Sequence, residues 1–366
     1  MMRTMEDKRA NIQSRQIADE IHLMISPDAS LAFEFQLDSL HQALKGFCGS
    51  EGQGYSPVFI RYFLSDAANQ AEILSKSVSE NQNCAISMIE QPPLDGSKVA
   101  MWVQLMKDVQ IRKTSSSLWE VQKDGYRHLW LDNSFRRGGD PESQMNSILR
   151  DYISALEENG CSLSEDCIRT WIYVQNIDVN YAGIVKARRE TFDREGLTKD
   201  THYIASTAIA GRNAFSDSLV VMDAYAVAGL GKGSIRHLYG ATHLNPTYEY
   251  GVTFERGTAV DYPDRRQVFI SGTASIDNKG QIVHPGDARR QTGRLLENVS
   301  VLLKEAECGF DDVMSMIIYL RDIADHKAVR EIFEERFPGM PKIYLWAPVC
   351  RPGWLVEMEC IALKEI

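Results

Sequence analysis

The sequence predicts an α+β protein of three tandem units, each a β-sheet covered on one side by two helices, arranged as an internal pseudo-trimer. Three observations lead there: the same helix–strand order recurs along the chain, the recurring elements have similar lengths and stop positions, and each copy has apolar faces enough for one sheet with helices on a single side. The uncovered sheet faces must then meet something. Three copies are expected to close them into a barrel-like core with the helices outside.

In the first copy, Phe33, Leu37, Leu40, Leu44 and Phe47 fall at helical spacing. A strand over 58–64 follows and stops at Ser65-Asp66. Two closing strands, 84–89 and 98–105, flank the turn Pro92-Pro93-Leu94-Asp95-Gly96. In the middle copy, Met145, Ile148, Leu149, Tyr152, Ile153 and Leu156 make one apolar helical face before Glu158-Asn159-Gly160. The strand 168–174, the helix 181–195 and the strands 203–210 and 218–227 complete it. In the last copy, Leu295, Val299, Leu302 and Ala306 define a helix broken by Glu307-Cys308-Gly309-Phe310-Asp311-Asp312. The strand 313–320, the helix 326–337 and the strands 343–349 and 355–363 follow, so that Val174 corresponds to Leu320. The expected boundaries are a tail over 1–18, units over 19–106, 119–228 and 247–366, and linkers over 107–118 and 228–246.

Bulk properties bound the function. The 366 residues, 44% of them hydrophobic, can bury a large core, and a net charge of −10 without long single-sign runs argues against a phosphate-tracking surface. Nucleic acid is therefore not an expected partner. Residues 1–28 lack the apolar core of an export signal, and no stretch reaches the roughly 18 apolar residues that cross a bilayer. No membrane association is expected. Seven scattered cysteines read as free thiols of a reducing compartment, the cytoplasm. No Cys or His spacing suits zinc, and neither a metal nor a cofactor is expected.

The last copy carries a family pattern: Val268-Phe269-Ile270-Ser271-Gly272, Gly280-Gln281-Ile282-Val283, Gln291-Thr292, Leu296-Glu297-Asn298-Val299, Asp311-Asp312-Val313, Ile318-Tyr319-Leu320-Arg321-Asp322 and Val356-Glu357-Met358-Glu359-Cys360-Ile361-Ala362. Over about 100 residues it resembles the YjgF/RidA (L-PSP) family. The middle copy resembles it more faintly, through Thr170-Trp171-Ile172-Tyr173-Val174 and Val221-Met222-Asp223-Ala224-Tyr225-Ala226, and the first only through Ile60-Arg61-Tyr62-Phe63-Leu64-Ser65-Asp66. The resemblance implies chorismate-mutase-like units with clefts between neighbours, and hydrolysis of enamine or imine intermediates of small carboxylate metabolites. Multi-unit chains of this length also resemble the chorismatases, which release pyruvate from chorismate. A non-catalytic ligand-binding scaffold, and an endoribonuclease by family name, complete the alternatives. Further homo-oligomerisation is left open.

Arg351, in Ala347-Pro348-Val349-Cys350-Arg351-Pro352, stands where the family places a carboxylate-gripping arginine, a role suited to the two parallel donors of a guanidinium. Arg212 is expected at the matching position of the middle copy, although Gly211-Arg212-Asn213 reads equally as a solvated turn. Glu357 and Glu359 share one face of the last strand. That face either meets solvent or, as the resemblance implies, places a carboxyl in the cleft as general acid or base. Asp223 is expected to match Glu359. Tyr250 resembles an aromatic near the family's first strand, and it reads also as an ordinary core tyrosine. Ser271 and Gly272 resemble a cleft-lining turn. His243 is a loop histidine with a weaker claim.

Overall fold

A computed structural model describes residues 10–79, 83–114 and 118–366. The first sheet holds β1 (Asn11–Ile17), β2 (Glu20–Ser26), β3 (Tyr55–Leu64), β4 (Ala85–Glu90) and β5 (Val99–Lys107), with helices α1 (Phe33–Cys48) and α2 (Ala67–Ser79). The second holds β6 (Gln110–Lys113), β7 (Leu118–Lys123), β8 (Tyr126–Phe135), β9 (Cys167–Val174), β10 (Ala205–Ala210) and β11 (Val220–Ala228), with α3 (Pro141–Glu158), the short α4 (Leu163–Asp166) and α5 (Ile177–Arg194). The third holds β12 (Ile235–Leu238), β13 (Gly257–Asp261), β14 (Arg265–Ala274), β15 (Val313–Leu320), β16 (Lys342–Trp346) and β17 (Val356–Glu365), with α6 (Ala288–Glu305) and α7 (His326–Arg336).

One topology repeats. The strand orders β2-β5-β3-β4, β8-β11-β9-β10 and β14-β17-β15-β16 are the same, and in each the last pair is parallel. A parallel pair needs a crossover, and α2, α5 and α7 supply it. Asp140 and Asp287 cap α3 and α6 by accepting from backbone N–H groups three residues on.

Short edge strands occupy segments expected to be irregular. β1 lies in the expected tail, β6 in the first expected linker and β12 in the second. Asn11–Ile17 and Gln110–Lys113 are mostly polar, because an edge strand with an open face needs little apolar content.

The inner sheet faces meet as expected. One core cluster takes Phe59 and Trp102 from the first unit, Trp130, Trp171 and Tyr225 from the second, and Phe269 and Tyr319 from the third. Phe59 stacks on Trp130 with centroids 4.6 Å apart. Three equivalent backbone hydrogen bonds close the ring: Glu90 N to Arg212 O at 2.8 Å, Ala210 N to Pro348 O at 3.1 Å and Trp346 N to Pro92 O at 2.9 Å. No helix among the described residues is long and apolar enough to cross a membrane.

Candidate active site between the second and third units

Strand register fixes which residues are equivalent. Tyr319 pairs with Glu357, Tyr173 with Val221 and Phe63 with Ala100, so Glu357 occurs once, with Val221 and Ala100 in its place elsewhere. Two residues on, Glu359 corresponds to Asp223 and Trp102.

Glu359 is 4% exposed. Its carboxylate accepts from Arg169 Nη2 at 2.6 Å, from Trp171 Nε1 at 2.8 Å and from Thr207 Oγ1, all from the second unit. A carboxylate so engaged ties two units together. Asp223, expected to bind substrate, is instead sealed in the core, where Oδ2 receives Arg61 Nη2 at 2.8 Å and Oδ1 receives Asn133 N at 2.8 Å. Ser271 is saturated too: its hydroxyl donates to Glu255 O at 2.6 Å and accepts from Arg169 Nη1 and Ser206 N. It joins the units and has no donor or acceptor left for a ligand.

Glu357 differs. Among the described residues its carboxyl makes no hydrogen bond or ion pair, although the residue is only 4% exposed. Burial first, then the charge of Glu359, push it up to about 8 against the pull of Arg169 and Arg256. It is therefore mainly protonated at neutral pH. Gly272 sits directly beneath it, and a Cβ there would overlap the carboxyl, which is why glycine stands at this position. The β14 ladder is irregular between Ile270 and Thr273, a bulge that places the Gly272 N–H on Thr207 Oγ1 at 2.9 Å.

Near Glu357 the third unit supplies Arg256 and Cys350, and these in turn neighbour Tyr250 and Arg351. Tyr250 lies on a 3₁₀ turn, Thr247–Tyr250, rather than near a strand, and its hydroxyl has no well-formed hydrogen bond. The Arg351 and Arg256 guanidinium carbons are 5.1 and 5.4 Å from its ring centre. Arg351 Nη2 donates only a long bond, 3.4 Å, to Tyr250 O.

The second unit contributes two residues that the sequence reading missed, Tyr181 and Arg188 on α5. Tyr181 lies beside the Cys350 thiol, which burial pushes up to about 12. Arg188 is 2% exposed; it reaches Ser206 Oγ at 3.4 Å, and its Nε and Nη2 have no partner. Burial lowers its pKa, opposed by Tyr181, Cys350 and Tyr250. A desolvated guanidinium without a carboxylate is costly unless an anion completes it. Its signal in the sequence is position: Arg188 shares the inward side of α5 with buried Ile184 and Thr191.

Arg212 does not correspond to Arg351. The ring-closing bonds align Arg212 with Pro348 and Pro92, because the chain leaving β16 runs on before reaching Arg351. Arg212 Nε instead pairs with Glu90 at 2.7 Å across the first and second units. His243 stays on the loop, bonded to Thr242 Oγ1 at 3.0 Å.

A ring of three sheet-and-helix units with a polar cluster between the second and the third defines the class of protein. A profile of the family described as Endoribonuclease L-PSP matches residues 258–364. A RutC family protein of Pyrococcus abyssi is 33% identical over 100 residues, 27% of this chain and 79% of that protein. The 3-aminoacrylate deaminase RutC of Acinetobacter baylyi is 34% identical over 97 residues, 26% of this chain and 77% of that one. Over the whole ring, a chorismatase crystal structure superposes with a TM-score of 0.67 at 18% identity, covering 84% of this chain and 93% of that one, and so shares the fold. The chain belongs to the YjgF/RidA family, through its third unit, and carries that fold three times.

Proposed function

We propose that the chain is a hydrolase acting on a carboxylate-bearing enol ether, in the manner of a chorismatase that releases pyruvate. The observation that carries this reading is the buried Glu357 carboxyl, which makes no hydrogen bond or ion pair among the described residues, near a group that joins Cys350, Tyr250, Arg351 and an Arg188 whose Nε and Nη2 have no partner. Arg351 and Arg188, on opposite walls, suit a substrate with more than one carboxylate. Glu357 delivers its proton to the terminal carbon of the enol ether, and the double-bond electrons form the new C–H bond. The resulting oxocarbenium carbon takes up water. The hemiketal then collapses: its hydroxyl proton passes to the departing oxygen as the C=O forms, the C–O bond to the alcohol breaks, and pyruvate and the free alcohol leave. Removal of the water's proton by the newly ionised Glu357 returns it to the starting state.

A RidA-like deaminase is the second reading, favoured by the identity of the third unit to the RutC relatives. The same proton transfer to an enamine carbon gives an iminium ion, which water converts to a keto acid and ammonia. The test is to supply purified protein with chorismate and, separately, with an enamine generated from serine or threonine by a dehydratase. Pyruvate release from chorismate, lost in Arg351→Ala, supports the first reading. Accelerated keto-acid release from the enamine alone supports the second, and neither product refutes both.

A further inference from the structure

A second cavity, of about 280 Å³, opens between the chain segment that precedes β10 in the second unit and the one that precedes β13 in the third. Glu357 does not line it, but Arg256, which acts on Glu357, does, together with Asn245. Tyr239 and Tyr248 border it and are 48% and 46% exposed, so both are open to solvent and to a ligand. Leu244 adds apolar wall, and Lys199 adds a cation.

Arg256 gives this cavity its polarity. It is 4% exposed, and its hydrogen bonds run only to Asn245, to O at 3.3 and 2.9 Å and to Oδ1 at 3.2 Å. Among the described residues it makes no ion pair. The acid beside it, Glu255, also lines the cavity and accepts from Tyr203 N at 2.8 Å; burial raises its pKa against the pull of that bond, His202 and Arg256. Aromatic walls with two cations, Lys199 and Arg256, against one acid, Glu255, fit a flat ring bearing one carboxylate, and the volume holds one such molecule.

We propose that this cavity is a second ligand site, for a ring-bearing monocarboxylate, held by Tyr239, Tyr248, Lys199 and Arg256. It does not depend on the reaction assigned to the Glu357 cleft. A ligand there meets Arg256, one of the cations that set the Glu357 proton affinity, so the site is placed to modulate the cleft.

Benzoate is the probe, titrated calorimetrically into the full chain, into Tyr248→Ala and Lys199→Ala, and into Arg188→Met, with circular dichroism to confirm folding. Benzoate is expected to bind wild type and Arg188→Met alike, and at least about tenfold more weakly to both cavity variants, the loss of roughly one stacking or charge contact. Acetate, which lacks the ring, is expected to bind at least about tenfold more weakly than benzoate. Absence of benzoate binding overturns the proposal. So does binding that is weakened in Arg188→Met, which would place benzoate in the Glu357 cleft, or binding that is unchanged in the cavity variants.

Discussion

The junction of the first and second units and that of the second and third are built on the same backbone plan, yet of the two only the latter places Glu357, a buried carboxyl without a hydrogen bond among the described residues. Each has a ring-closing backbone bond and a buried Arg–carboxylate pair, Arg61–Asp223 in one and Arg169–Glu359 in the other. Where the second junction has Glu357 over Gly272, the first has Val221, and its entrance carries the Arg212–Glu90 pair. The buried pair thus ties units together at both junctions, and the two differ at the residue two positions along the strand. Repetition of a fold does not repeat its site.

The sharpest break in this contrast is Glu357→Gln, which keeps shape and removes the titrating proton. Turnover is expected to fall about 10²–10⁴-fold, measured as kcat on folded protein, the span typical of a positioned general acid. In the wild type, activity that needs the protonated acid is present below about pH 8 and lost above it. Stability carries the same signature. The folded carboxyl holds its proton to about 8 and the unfolded one releases it near 4.5, so the stabilisation is full below about 4.5 and is lost as pH rises toward 8. Denaturant titrations across that window should show a shallower decline for the Gln variant.

Asp223→Ala tests the assembly role, because it strands the Arg61 guanidinium in the core. A loss of about 3–5 kcal/mol is expected in equilibrium unfolding, while protein that remains folded keeps its kcat. An unchanged midpoint would show that the pair does not hold the junction. Arg188→Met separates binding from stability: kcat/KM should fall about 10–100-fold through loss of a charged hydrogen bond. The melting temperature should rise, since an unpartnered buried charge is gone. A fall in both would make Arg188 a structural residue. The smallest effect belongs to Arg212→Ala, with under about 1 kcal/mol lost and kinetics within twofold, because the pair is partly exposed and lies at the junction without Glu357.

The fold was largely legible because amphipathic helices and apolar strands leave strong periodic signals; the α6 stripe of Leu295, Val299 and Leu302 is an example. β6 was not legible, since Gln110-Ile111-Arg112-Lys113 holds one apolar residue, and pairing with β7 rather than burial makes it a strand. In the site, Glu357 and Arg351 stood out through the family pattern of the third unit. Arg188 did not, because Lys186-Ala187-Arg188-Arg189-Glu190 reads as a solvated helical face, and only the tertiary fold shows which arginine turns inward. Arg212 was misaligned for a related reason: two loops of different length leave equivalent strands, and register alone reveals the offset.

Because the backbone runs through all three units, the two walls of the cleft travel on one molecule and are never diluted apart. In a ring of separate subunits, a chain damaged at one wall and a chain damaged at the other can exchange partners and rebuild an intact site between them. Here a chain lacking Arg188 and a chain lacking Glu357 have no such remedy when mixed or co-expressed. The two positions behave as lesions that must be repaired in cis, and selection acts on both walls as a single inherited unit.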